Sequence, residues 1–200
     1  EIEVGPKGLD VDHLRHQLEF TQRIGAQLLR TVPDYGRGPV PTESELTRTL
    51  TAVEPHCASA GVCLAIENAT IPARVLEGAL SRVASPWLGI TLDTVNSLAV
   101  PEGTEQVVSA LARHTRCLHV KDFSVDRIWH MMGFTVEGRP AGKGQLNVPW
   151  LLDQLRSAGA DFNAILELWT PRQSSLAETI ALEAAWADES ISYLRKLIPA

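Results

Sequence analysis

Four apolar runs in the chain finish in charged or polar groups instead of in turn residues. They are residues 61–68, ending Ile66-Glu67-Asn68; residues 89–93, ending Leu92-Asp93; residues 117–122, Cys117-Leu118-His119-Val120-Lys121-Asp122; and residues 164–169, ending Glu167-Leu168-Trp169. Short continuous apolar runs read as strands buried on both faces, and such strands belong to parallel sheets. Groups that leave a parallel sheet at the carboxyl ends of its strands are the ones that meet ligands. The separations are regular: 26 residues from Glu67 to Asp93, 26 from Asp93 to His119 and 48 from His119 to Glu167. About 26 residues hold a strand, a helix and two loops. The last gap is one such unit with an insertion after His119. The pattern predicts four successive βα units, each bringing one carboxylate or imidazole to a common point.

The alternation extends towards the start of the chain. A strand is predicted over residues 2–4, then a helix over 12–24 with Leu14, Leu18 and Phe20 on its apolar side, closed by Gly25 as a C-terminal cap. A strand over 28–32 leads into a loop over 33–41, rich in Pro and Gly and long enough to be functional. Thr42-Glu43-Ser44-Glu45 is a capping box that opens a helix towards Ala60, which Pro55 is expected to kink or break. Helices near 72–83, 105–114 and 149–158 separate the later strands, and a second capping box, Ser175-Leu176-Ala177-Glu178, starts a closing helix to about residue 198. Residues 123–147 read as a loop, expected to fold over the common point and close on a substrate.

Six alternating units predict a parallel sheet with right-handed crossovers, either doubly wound or closed on itself. Side chains from four successive strands meet only if the strands curve about an axis; in a flat sheet the outer two would stand roughly 14 Å apart. The pattern therefore favours a (β/α)8 TIM barrel. A complete one needs eight strands, so about six βα units are visible and the first two strands are expected to lie outside this numbering. Residues 1–200 read as one partial barrel domain.

Composition narrows the partners. A net charge of −6 opposes a nucleic-acid face, which needs a basic stripe, and no apolar run approaches the ~20 residues of a membrane helix. Cys57, Cys63 and Cys117 are an odd number without metal-site spacing and read as reduced, buried thiols. With no export leader legible at its start, the protein is expected to be cytoplasmic. The partner is expected to be a small molecule, and a homo-oligomer stays open.

Singly, each of the four groups has a plainer reading. Glu67 and Glu167 fit structural ion pairs, Asp93 a turn cap and His119 a satisfied core histidine. Together, at unit spacing, they favour a metal site. Three carboxylates and an imidazole make a hard, oxygen-rich donor set, suited to one Mn²⁺ or Mg²⁺, with Zn²⁺ or Co²⁺ as alternatives. Such an ion would act as a Lewis acid on adjacent hydroxyl and carbonyl oxygens of a sugar and stabilise an enediolate. Two glutamates flanking the reacting carbon would then remove and return a proton, giving an epimer or an aldose–ketose isomer.

Glu67-Asn68, Asp93-Thr94-Val95-Asn96, His119-Val120-Lys121-Asp122 and Glu167 together resemble the xylose-isomerase-like TIM-barrel superfamily, in particular its sugar phosphate isomerase/epimerase branch. The resemblance covers essentially the whole chain. It implies that Glu67, Asp93, His119 and Glu167 hold one divalent metal, with Glu67 and Glu167 as the catalytic acid/base pair. Two departures stand near the substrate: Ala69 and Asn96, where many relatives have histidine. Arg30, Asn68, Asn96, Lys121, Arg127, His130, Arg139 and Trp169 are candidate substrate contacts, and Asp122 a candidate to orient His119. A sugar isomerase or epimerase is the first expectation. A lyase or dehydratase on a keto-sugar is the nearest rival, ahead of an endonuclease of the same superfamily or a non-catalytic sugar-binding barrel.

Overall fold

The computed structural model describes residues 2–33 and 39–198. Most of the loop expected at 33–41 therefore lies outside the described residues. In chain order the elements are β1 (Glu3–Val4), α1 (Val11–Arg23), β2 (Leu28–Thr31), α2 (Glu43–Ala60), β3 (Cys63–Glu67), α3 (Ala73–Val83), β4 (Leu88–Asp93), α4 (Thr104–Leu111), β5 (Thr115–Val120), β6 (Asp122–Arg127), β7 (Phe134–Arg139), α5 (Val148–Ser157), β8 (Asn163–Leu166) and α6 (Leu176–Leu194). One six-stranded sheet runs β1-β2-β3-β4-β5-β8, and β6 and β7 form a separate pair. The chain divides into two compact units, Glu1–Leu118 with Gln154–Asn163, and His119–Asp153 with Ala164–Ala200.

In the first unit β1, β2, β3 and β4 pair in parallel, with Glu3 opposite Leu28, Arg30 opposite Ala65 and Glu67 opposite Thr91. Because side chains alternate along a strand, this register sorts them onto two faces. One carries Leu29, Leu64, Ile66, Ile90 and Leu92, all buried, in the manner of a sheet covered by helices. The other carries Leu28, Cys63 and Ala65, which cluster with Cys117, and then turns polar at the carboxyl end through Arg30, Glu67, Thr91 and Asp93. The small residues keep the first half of that face apolar and closely packed. The polar ends are what remains to meet a ligand.

Both capping boxes form: Thr42 with Glu45, and Ser175 with Glu178. Gly25 takes the left-handed conformation, φ 75°, that a side chain would oppose. Two expectations are corrected. Of the kink or break expected at Pro55, the break does not occur: α2 and its buried stripe Leu46, Leu50, Val53 and Cys57 continue on both sides of it, and packing outweighs the one lost backbone bond. Residues 123–147 are not a simple loop, because β6 and β7 form an antiparallel hairpin within them, from Asp122 opposite Arg139 to Arg127 opposite Phe134. Its tip bears Trp129, Met131 and Met132, all exposed.

Candidate functional site

Strands β3, β4, β5 and β8 are consecutive in the sheet. Glu67 is the last residue of β3, Asp93 the last of β4, His119 the last but one of β5, and Glu167 the first after β8. Glu67, Asp93 and His119 are all buried and each offers a ligand atom of the kind that holds a divalent cation. The two units are described in turn.

In the first unit Glu67 is held at both oxygens. Its Oε1 accepts from Asn96 Nδ2 at 2.6 Å, and its Oε2 faces Arg30 Nη1 at 3.3 Å. Asp93 Oδ1 accepts from the amides of Val95 and Asn96, at 2.8 and 2.7 Å, which folds the chain sharply just past β4. That turn places Asn96 to reach Glu67. Asn68 is fully buried; its Nδ2 donates to the Asp93 carbonyl and to Ser97 Oγ, and its Oδ1 accepts from the Asp93 amide at 2.7 Å. Its amide thus clamps the ends of β3 and β4 together instead of presenting its hydrogen-bonding groups to a sugar. Asn96, expected at the substrate, orients a candidate ligand.

One participant is missing from the sequence reading. Glu3, in β1, has a side chain only 8% exposed, and it lies 3.4 Å from both Arg30 Nε and Thr91 Oγ1. The available signal is a lone carboxylate inside a short apolar strand, where an unpaired charge would be costly.

In the second unit His119 Nδ1 lies 3.0 Å from Glu167 Oε2, and Lys121 Nζ pairs with Glu167 Oε1 at 3.1 Å. The His119 hydrogen bond, aided by the charge and hydrogen bond of Lys121, outweighs desolvation. It lowers the Glu167 pKa from 4.5 to about 2. A folded pKa below the unfolded one stabilises the protein above about pH 4.5, and this contribution is lost as pH falls towards about 2. In metal-free protein, the urea-midpoint difference between the parent and Glu167→Gln is therefore expected to be steady just above that window and to shrink within it. A difference constant down to the lower limit would mean that this carboxylate titrates normally.

Asp122 does not work through His119. Its oxygens accept from four backbone amides, those of Phe123 and Gly142 at 2.8 Å and of Gly144 and Leu146 at 3.0 Å, anchoring the segment after the hairpin. Arg127, His130 and Arg139, expected to contact substrate, are engaged within the hairpin: Arg127 Nη1 donates to the Met131 carbonyl, His130 Nδ1 accepts from the Met132 amide, and Arg139 holds Glu137 and Asp126. Trp169 is partly exposed, and its carbonyl packs where a side chain on Gly138 would stand.

The chain matches the family described as Xylose isomerase-like TIM barrel over residues 7–197. It is 32% identical over 195 residues to the 3-oxo-isoapionate decarboxylase of Pectobacterium atrosepticum, covering 97% of this chain and 70% of that protein. The crystal structure of a Xylose isomerase domain protein from Planctomyces limnophilus superposes with a TM-score of 0.67 at 22% identity, over 94% of this chain and 65% of that one. The structure of the IOLI protein with a binding zinc atom gives 0.75 at 16% identity, over 100% and 78%. The chain thus spans about two thirds to three quarters of the lengths of these proteins. The two structural likenesses bear out the expected α/β barrel fold, while the family match bears out the resemblance read from the strand ends. The chain belongs to the xylose isomerase-like TIM barrel family.

Proposed function

We propose that this chain carries the active site of a divalent-metal-dependent enzyme that processes a small keto-sugar through an enediolate, with carbon–carbon cleavage favoured over isomerisation. The observation that carries the reading is the 32% identity, across nearly the whole chain, to an enzyme that decarboxylates a 3-oxo acid. The residues at the strand ends fit a metal. In the first unit Glu3, Glu67 and Asp93 are three little-exposed carboxylates on β1, β3 and β4, with Arg30 of β2 pairing with two of them, and such a set is rich in negative charge. Glu67, Asp93, His119 and Glu167 would hold the ion, and the zinc in the IOLI structure accords with a metal at this fold. When bound, the ion supplies Lewis acidity towards a keto oxygen.

A 3-oxo acid has its ketone β to the carboxylate. In its decarboxylation the bond between the carboxyl carbon and the α-carbon breaks and CO₂ leaves. The bonding electron pair passes into the enolate, and a proton is then added at the α-carbon. No base is required for the first step. That suits a Glu167 whose carboxylate, held at a pKa of about 2, is a poor proton acceptor. Arg30 and Lys121 supply the cations that an anionic substrate needs. Isomerisation or epimerisation is the second reading, favoured by two glutamates, Glu67 and Glu167, each at the carboxyl end of a strand.

The test is metal analysis of the purified protein together with proton NMR in D₂O on 3-oxo-isoapionate and a panel of neutral keto-sugars. Chelator-sensitive release of CO₂ from the acid is expected. Solvent exchange with retention of the carbon skeleton would establish the second reading instead, and a protein that takes up no metal and alters none of the compounds would overturn both.

A further inference from the structure

We infer that Arg30 is the specificity-determining residue of this site, and that it selects a substrate bearing a carboxylate, a small sugar acid, over a neutral sugar. The inference rests on the proposed keto-sugar chemistry and names its substrate class. It stands on groups of the first unit alone.

Arg30 projects from the polar end of the sheet face, between Glu3 on the preceding strand of the sheet and Glu67 on the next. Its side chain is 22% exposed, more than either partner at 8% and 6%, so it is the member of the trio that reaches open space. Neither carboxylate takes it in the parallel two-bond geometry that makes an arginine–carboxylate pair strong. Glu3 meets Nε at 3.4 Å and Glu67 meets Nη1 at 3.3 Å, one atom each and both long for charged partners. A purely structural pair would close one of these contacts. The arrangement instead holds the guanidinium from two sides and leaves its bidentate capacity unsatisfied by either.

The backbone makes room for this position. A Cβ at Gly5 would lie 2.6 Å from Arg30 Nη2 and 3.0 Å from its Cζ, so any other residue there would displace the guanidinium. Glu3 is itself fixed by Thr91 Oγ1 at 3.4 Å. Three strands and one glycine thus serve the placement of a single cation.

The charges around that cation define its use. Glu3, Glu67 and Asp93 carry −3 and Arg30 carries +1, so this set is at −2 before a metal arrives and neutral once a divalent ion is held. Without Arg30 the same loaded set would carry −1, one charge less favourable to an anion. With Glu67 sharing its charge with the ion, its hold on Arg30 weakens, and the guanidinium is available to the carboxylate of a sugar acid. A neutral sugar needs none of this.

The experiment is calorimetric binding to the Mg²⁺-loaded protein of threonate, a four-carbon sugar acid, and of threitol, its neutral counterpart, with bound metal measured in parallel. The parent is expected to prefer threonate. Arg30→Gln is expected to weaken threonate binding about 10- to 100-fold, the range for a hydrogen bond to a charged group, while leaving threitol binding and metal content unchanged; Arg30→Lys is expected to recover part of the loss. Glu3→Gln, which releases one side of the guanidinium, should give a smaller loss of the same sign. Equal weakening for acid and neutral ligand, loss of metal in Arg30→Gln, or a parent with no preference would each overturn the inference, making Arg30 a structural partner of Glu67. A parent that holds no metal would instead overturn the functional reading on which the inference rests.

Discussion

Asp122→Ala is expected to destabilise the protein by about 3–5 kcal/mol, the scale for removing one partner from a buried charged network. The side chain is buried and accepts four backbone hydrogen bonds, three of them from residues 20 to 24 positions further along the chain. Removing it leaves those donors without their acceptor. The segment is drawn in closely around this side chain: a Cβ on Gly144 would collide with the Asp122 carboxyl group and the Phe123 carbonyl. Asp122→Asn keeps one acceptor oxygen and should fall between the parent and the alanine variant. Urea denaturation midpoints at neutral pH would measure both. A loss below about 1 kcal/mol for alanine, the net worth of a single ordinary hydrogen bond, would mean that the segment holds itself in place.

Turnover is expected to fall on the order of a hundredfold or more in Glu67→Gln, the scale for losing a group that acts directly in the chemistry. Glutamine keeps the size and can still accept from Asn96 Nδ2, so the turn after β4 should survive. It removes the charge that faces Arg30 at 3.3 Å and, in the proposed site, one anionic metal ligand. Bound metal should therefore fall along with rate, whereas far-ultraviolet circular dichroism should not change. Glu167→Gln is the companion measurement, and it should lower rate as well. If both variants hold metal normally and turn over within about threefold of the parent, far less than the loss of a catalytic group costs, the two glutamates are structural and the proposed chemistry fails.

The parts legible in the sequence are those with strong local causes. The strands that carry Glu67, Asp93 and His119 at or next to their last position are short apolar runs, and a buried parallel strand has little choice but to look like that. The capping boxes and Gly25 are read from chemistry within four residues, and all three are found in place. The hairpin escaped because its strands, Asp122–Arg127 and Phe134–Arg139, mix charged and apolar positions and are exposed along much of their length. Nothing in such a pattern separates a ladder from a loop. At the site, the candidate ligands were legible as strand endings, but the roles of their neighbours were not. Asn68 and Asn96 carry the same amide, yet one is consumed by the Asp93 backbone and Ser97 and the other by Glu67. That difference is set by register between β3 and β4, which is a property of two segments and not of either alone.

The Glu3 network has a bearing on the order in which the protein folds. Its contacts reach 27 residues along the chain to Arg30 and 88 to Thr91. Closing loops of such length carries an entropic cost before any contact can offset it, and parallel sheets already place their pairings far apart in sequence. Helix α1 with its neighbouring strands, and each later βα pair, can form from nearby residues, whereas β1 cannot be pinned by Thr91 until three more strands are in place. The trio of Glu3, Arg30 and Thr91 is therefore assembled late. Contacts made after the transition state act on the rate of unfolding and not on the rate of folding, so this cluster contributes to how long the native sheet lasts, while the apolar strand interiors govern how quickly it is reached.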